Sequence, residues 1–228
     1  ANWTNKDKLP DRKLADLIEH FSTRTLSNAN VTPDVFGNAY EYLIKRFADA
    51  SNKKAGEYYT PRSVVGLLIN ILDPREGESV YDPACGTGGM LTVAEEALTA
   101  IGNRRGLDIK CGLYGQEINP ETYAICKADM LIKGEGENAD HIVGGAEWST
   151  LAHDAFPGQE FDFMVANPPY GKSWKKDLDA MGGKDGMRDP RFKVMHEGEE
   201  LSLVTRSSDG QMLFLVNMAS KMNHSSAL

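Results

Sequence analysis

The chain has 228 residues, 41% of them hydrophobic, which is enough for the core of one medium α/β domain or of a small helical segment plus a larger domain. Its 25 basic and 33 acidic residues give a net charge of −8, a poor balance for a solitary nucleic-acid binder, because phosphate contacts supply most of such affinity. A polynucleotide substrate therefore needs a local basic groove or a separate basic partner; a merely solvated acidic surface fits the same numbers. Cys85, Cys111 and Cys126 are odd in number and lack CxxC spacing, which argues against a disulfide framework or a zinc site. No apolar run approaches the roughly 18 residues of a membrane span and no signal peptide is visible, so a cytoplasmic location is expected. The chain begins at Ala1 rather than Met, as an internal piece of a longer protein does.

Residues 1–55 read as a helical segment. Pro10 suits a first helical turn, with Leu14, Leu17, Ile18 and Phe21 on one face. Pro33-Asp34 opens a second helix with Val35, Phe36, Ala39, Leu43 and Phe47 at helical spacing. Residues 56–228 read as a separate α/β domain. It starts with Gly56-Glu57-Tyr58-Tyr59-Thr60-Pro61-Arg62, ahead of a helix with Val64, Val65, Leu67, Leu68, Ile71 and Leu72 on a wide apolar face. Thr60 is placed to cap that helix and Pro61 to occupy its first position; the functional alternative is a loop laying a tyrosine and a hydroxyl over a neighbouring pocket.

Ser79-Val80-Tyr81 is a short strand running into Asp82-Pro83-Ala84-Cys85-Gly86-Thr87-Gly88-Gly89-Met90, and a helix follows. Strand, Gly-rich turn and helix open a nucleotide-type α/β fold. The turn lacks GxGxxG spacing and no Gly-Lys-Ser/Thr follows it. It begins instead with a carboxylate, Asp82, which repels phosphate and suits a cationic ligand such as an ammonium or sulfonium. The second strand, from Leu113, ends at Glu117, where an acid accepts hydrogen bonds from ribose hydroxyls in doubly wound folds; a plain surface acid is the alternative. Helix 120–133, a polar turn over Gly134–Asp140 and a third strand, His141-Ile142-Val143, come next. Glu147 and Trp148 follow that strand as candidates to touch an adenine ring, with core packing of Trp148 the alternative.

The fourth strand, 161–166, runs into Asn167-Pro168-Pro169-Tyr170. Two prolines remove two donors and fix two φ angles, so the strand must stop there. The stiff backbone then holds an amide and an aromatic ring at the sheet edge, which suits a flat hydrogen-bonding base or, equally, a proline-terminated strand. Residues 171–210 are polar and carry Lys172, Lys175, Lys176, Lys184, Arg188, Arg191 and Lys193. They read as phosphate contacts, a mobile lid or a solvated disordered loop. Asp209-Gly210 leads into a last helix, after which a fifth strand is expected.

Taken together, Glu57–Arg62, Asp82–Met90, Gly115–Pro120, Asn167–Tyr170 and Asp209–Met212 resemble, in the same order, the N6-adenine DNA methyltransferases, above all the modification subunit of type I restriction-modification systems. Asn-Pro-Pro-Tyr alone also occurs in protein-glutamine and RNA-guanine methyltransferases. The resemblance implies a Rossmann-like, mostly parallel seven-stranded sheet that binds S-adenosyl-L-methionine, with an N-terminal helical segment. It implies that Tyr58, Thr60 and Pro61 line the methionine end of the cofactor. Asp82, Ala84, Gly86, Gly88 and Gly89 would hold its ammonium and carboxylate, Glu117 its ribose and Ile118 its adenine. Glu147 stands where the family often has an adenine-contacting acid, although the local pattern departs. Asn167, Pro168, Pro169 and Tyr170 would act on a flipped adenine of double-stranded DNA, without a metal. The implied partners are a specificity subunit and a restriction subunit. Strands five to seven are missing, so the chain is expected to be a fragment of a longer subunit; a docking core without catalysis is the remaining alternative.

Overall fold

The computed structural model describes residues 10–25, 27, 30–31, 39, 42–43, 46, 60–107, 110–133 and 136–223. Tyr58 and the helix expected after Pro33 fall outside these residues, apart from isolated positions of the latter. Helix α1, Asp11–Ser22, carries the expected stripe, but Leu17, Ile18 and Phe21 are exposed.

The α/β core begins with α2, Arg62–Leu72, and β1, Ser79–Asp82. It continues with α3, Gly89–Arg105, β2, Gly112–Glu117, and α4, Pro120–Lys133. A short helix α5, Gly136–Asp140, stands where a polar turn was expected; it supplies buried Asn138, whose Oδ1 accepts from Leu113 N at 3.0 Å. Then come β3, Ile142–Gly144, and β4, Phe163–Met164. The four strands are parallel, in the order β3-β2-β1-β4.

Period-two alternation sorts the side chains. Val80 pairs with Leu113, and both face the buried cluster of Val65, Ile69, Leu91, Cys126 and Ile142 beneath α2, α3 and α4. Tyr81 pairs with Tyr114 and turns the other way, onto Phe161 and Phe156. Asp82 and Glu117 follow the Val80/Leu113 phase, so both acids leave the sheet on the same face at its carboxyl end.

Two expected extents are revised. Only Val65 and Ile69 of α2 are buried; Val64, Leu67, Leu68 and Ile71 are exposed, so the wide apolar face is half covered. Regular pairing in β4 is confined to Phe163–Met164, because Phe161 already bridges in parallel to Met222 rather than to β1. Phe161 N donates to Lys221 O at 2.8 Å and Asn223 N to Phe161 O at 2.9 Å. Among the described residues, the position where a fifth strand was expected thus holds an isolated bridge rather than a strand.

The stretch after β4 is ordered. It holds α6, Lys175–Ala180, α7, Gly183–Gly186, a 3-10 turn at Pro190–Phe192 and an antiparallel hairpin of β5, Lys193–His196, with β6, Glu199–Ser202. Helix α8, Gly210–Ser220, packs Leu213 and Phe214 with Trp174, Leu178, Met187 and Phe192 in a second core. Among the described residues, no helix is long and apolar enough to cross a membrane.

Candidate active site

The strand order reverses between β1 and β4, and in open α/β sheets ligands bind outside the carboxyl ends of the strands at such a point. The Gly-rich turn leaves β1 and the Asn-Pro-Pro-Tyr segment leaves β4, so the topology puts both at one crevice.

Asp82 ends β1 and is 1% exposed. Its Oδ1 accepts from Ala84 N at 2.9 Å, which starts the turn. Cys85 N donates to Gln116 O at 3.1 Å, tying the turn to β2. Gly88 sits at φ +82°, and a Cβ there would lie 2.5 Å from Cys126 Sγ, so the turn packs too closely on α4 for any side chain. At Gly86 and Gly89 a Cβ would meet nothing within 4 Å, which leaves backbone open to a ligand.

Glu117 Oε2 accepts from Gly86 N at 2.9 Å and Oε1 accepts from Asn119 N at 2.7 Å. Each carboxylate oxygen keeps a lone pair for a ligand hydroxyl. Ile118, beside it, is 48% exposed and offers an apolar surface. Burial, and then the charge of Glu117, push the Asp82 carboxyl up to about 7 against the lowering effect of Ala84 N–H. Two acids in one turn make an anionic centre that a cation relieves and a phosphate worsens. The residues present therefore fit the ammonium, sulfonium and ribose groups of S-adenosyl-L-methionine.

Thr60 does not cap α2. The N-cap is Pro61, without a side-chain bond, one position earlier in the helix frame than expected. The Thr60 hydroxyl instead receives the Asn167 side chain: Nδ2 donates to Oγ1 at 3.3 Å, joining residues 107 positions apart. Pro168 is half-buried, Pro169 exposed, and the Tyr170 ring 82% exposed beside them. Glu147 is exposed, and its backbone carbonyl, 2.5 Å from His153 Nδ1, is what the loop uses. Trp148 is half-buried and its carbonyl accepts from Gln116 Nε2 at 3.2 Å, which favours packing for this residue.

The basic stretch is partly reassigned. Arg191 is 7% exposed and cannot meet phosphate. Its guanidinium binds Asp189 Oδ2 at 2.6 Å, Thr150 O at 2.8 Å and Asn217 Oδ1 at 2.8 Å, and lies over the Phe192 ring. Lys193 pairs with Glu200 at 2.6 Å. Thr150 Oγ1 in turn donates to Pro83 O at 2.5 Å, so Arg191 links the segment after β4 to the Gly-rich turn. Sequence reading misses this link: Thr150 and Asn217 carry no pattern, and a buried arginine looks like a surface one. Lys175, Lys176, Lys184 and Arg188 remain exposed. Among the described residues, no three His, Cys, Asp or Glu side chains group as a metal site.

Comparison with known proteins matches this arrangement. A family model for N-6 DNA methylase covers residues 31–225. The chain belongs to the N-6 DNA methylase family. It is 36% identical over 180 residues to the type I restriction enzyme MjaIX methylase subunit of Methanocaldococcus jannaschii, covering 78% of this chain and 29% of that protein. It is 35% identical over 174 residues to the HindI methylase subunit of Haemophilus influenzae, covering 75% of this chain and 38% of the relative. The chain thus spans between 29% and 38% of the length of these relatives. The solved type I restriction-modification methyltransferase subunit of Streptococcus thermophilus superposes with a TM-score of 0.67 at 26% identity, over 94% of this chain and 42% of that one. A class I S-adenosylmethionine-dependent methyltransferase of Listeria monocytogenes shares the fold at 13% identity and a TM-score of 0.61, over 94% of this chain and 58% of that one. The chain therefore has the Rossmann-like α/β fold expected from its sequence.

Proposed function

We propose that this chain carries the catalytic centre of a site-specific DNA methyltransferase that moves a methyl group from S-adenosyl-L-methionine to N6 of adenine. The observation that carries the reading is the convergence of an anionic, glycine-rich turn after β1 with the Asn167 amide after β4, at the point where the strand order reverses. Asp82 would hold the ammonium, the turn from Ala84 to Gly89 the methionine backbone, Glu117 the ribose and Ile118 the adenine. Thr60 and Pro61 border the same crevice beside Asn167, which supports their placement at the methionine end. Tyr58 takes the same role by position in the sequence, and Glu147 is the candidate for the cofactor's adenine amine. When bound, the cofactor supplies an electrophilic methyl on a cationic sulfur.

The chain's own residues do the rest. The exocyclic amine of adenine is a weak nucleophile because its lone pair is delocalised into the ring. Asn167 Oδ1 and the Pro168 carbonyl accept its two N–H bonds, draw the nitrogen toward tetrahedral geometry and stabilise the positive charge that develops on it. The Pro168-Pro169 backbone holds both acceptors stiffly, so little reorganisation remains at the moment of transfer. The exposed Tyr170 ring is free to stack on a base that has left the duplex. After transfer the extra proton leaves to solvent.

The acidic net charge and the similarity to type I methylase subunits support work in a complex, in which a specificity subunit supplies DNA recognition and a restriction subunit joins it. Methyl label offered to DNA, RNA and protein in parallel tests the substrate class. Label in N6-methyladenine of DNA is expected; label confined to protein or RNA refutes the reading.

A further inference from the structure

We infer that Thr60 is a positioning residue for Asn167, a one-way hydrogen-bond relay that turns the Asn167 carbonyl oxygen to the target base when a carboxylate-bearing ligand occupies the crevice. The inference rests on the reading of Asn167 as the acceptor of the adenine amine, and adds how that amide is told which way to face.

The side-chain amide of asparagine has two unlike ends of nearly the same shape. Only Oδ1 can accept an N–H from the adenine amine; the NH2 end presents two more donors and repels it. Asn167 is exposed at the end of β4, where packing alone does not select between the two orientations. Thr60 is placed to select: with Nδ2 donating to its Oγ1, as it does at 3.3 Å, Oδ1 faces the other way.

A hydroxyl is itself ambiguous, since it can accept from Nδ2 or donate to Oδ1. It is held as an acceptor when its own proton is committed elsewhere; uncommitted, it can equally turn that proton to Oδ1. Thr60 is released from helix capping, because α2 starts on Pro61 with no side-chain cap. Among the described residues its hydroxyl bonds only Asn167, so its proton is available. A ligand carboxylate beside Thr60 takes that proton's hydrogen bond, leaves the oxygen lone pair for Nδ2, and fixes the amide in the productive orientation. The amide of the empty site keeps both orientations accessible.

Thr60→Val and Thr60→Ser separate this from a simple contact with the cofactor. In the assembled enzyme, Thr60→Val is expected to lower kcat by about tenfold, the scale of one hydrogen bond, even at saturating cofactor and DNA. Thr60→Ser restores it. A residue that only bound the cofactor would raise KM and be rescued by saturation. A second readout needs no turnover. In the 15N-labelled chain, S-adenosylhomocysteine should shift one Asn167 side-chain amide proton downfield in the wild type and in Thr60→Ser, but not in Thr60→Val. The signal is identified by its loss in Asn167→Ala.

The relay is overturned by full kcat in Thr60→Val, by a serine variant as poor as the valine one, or by an amide signal indifferent to residue 60. Asn167→Ala distinguishes the levels. If it abolishes transfer while Thr60→Val is silent, the relay alone is wrong. If it turns over normally, the role of Asn167 falls and the relay with it.

Discussion

Glu117 reaches from the end of β2 to accept the N–H of Gly86 at 2.9 Å, so the carboxylate proposed to take the ribose also shapes the Gly-rich turn. Removing it has two consequences. Glu117→Ala leaves Gly86 N–H and Asn119 N–H without their acceptor, at a cost of about 1–3 kcal/mol in stability. It should also weaken S-adenosylhomocysteine binding by more than about tenfold, measured by calorimetry. Thermal unfolding in the same preparations reports the stability loss.

Asp82 makes ligand affinity depend on pH. Its carboxyl holds its proton up to about 7 in the fold, chiefly through burial, while the unfolded chain releases it near 3.8. A cationic ligand binds the ionised form, so affinity should climb as pH rises toward 7 and level off above it. The same shift acts on folding in the opposite sense. Folding takes up a proton between those two pH values, so stability falls as pH rises from about 4 to about 7. Asp82→Asn keeps the acceptor for Ala84 N–H and removes the penalty. Above pH 7 it should be more stable than the wild type by up to roughly 4 kcal/mol, level with it below pH 4, and unable to bind cofactor tightly. Denaturant melts across pH check all three.

Arg191 should matter for the fold rather than for DNA. Arg191→Ala strands Asp189, Asn217 and the Thr150 carbonyl, and a buried ion pair broken on one side costs about 3–5 kcal/mol. Burial alone raises the Asp189 carboxyl, but the hydrogen bonds and charge of Arg191 outweigh it and hold the group below the usual carboxylate range. That contribution is present at neutral pH and is lost as pH falls through the folded value. Chemical denaturation of Arg191→Ala should show the loss. Lys175→Ala and Lys176→Ala, both exposed, should change stability by less than about 0.5 kcal/mol.

Gly88 is fixed by two separate constraints. Gly88→Ala meets Cys126 Sγ at 2.5 Å and also places a side chain at φ +82°. Adding Cys126→Ala removes the first obstacle and not the second. The double variant should therefore recover part of a loss of about 1–3 kcal/mol, read from paired melting curves.

The parts of the site that the sequence discloses are those with local causes. Asp82 and the glycines stand at a strand-to-helix turn, and Glu117 at a strand end, so spacing along the chain places them in the fold. Asn167-Pro168-Pro169-Tyr170 is legible because prolines must end a strand. What stays hidden depends on distant neighbours. Thr60 reads as a helix cap because nothing local says that its hydroxyl meets a residue 107 positions away. Arg191 reads as one more basic loop residue because its burial is created by Thr150, Asn217 and Phe192. Gly136–Asp140 reads as a turn because its short helix is held by tertiary contacts, among them the buried bond from Leu113 N to Asn138 Oδ1. Helical periodicity also overstates what α2 covers, since an apolar stripe does not show how much of it finds a neighbour.

Asn167 is proposed to receive the adenine amine beside the turn of Asp82 and Glu117. Transfer of labelled methyl from S-adenosyl-L-methionine to DNA by the assembled enzyme, compared between the wild type and Asn167→Ala, tests it most directly. Label in N6-methyladenine is expected for the wild type, with a loss of at least about a hundredfold for Asn167→Ala and unchanged S-adenosylhomocysteine affinity in both. Undiminished methylation by Asn167→Ala, or wild-type label on a base position other than N6 of adenine, would contradict it.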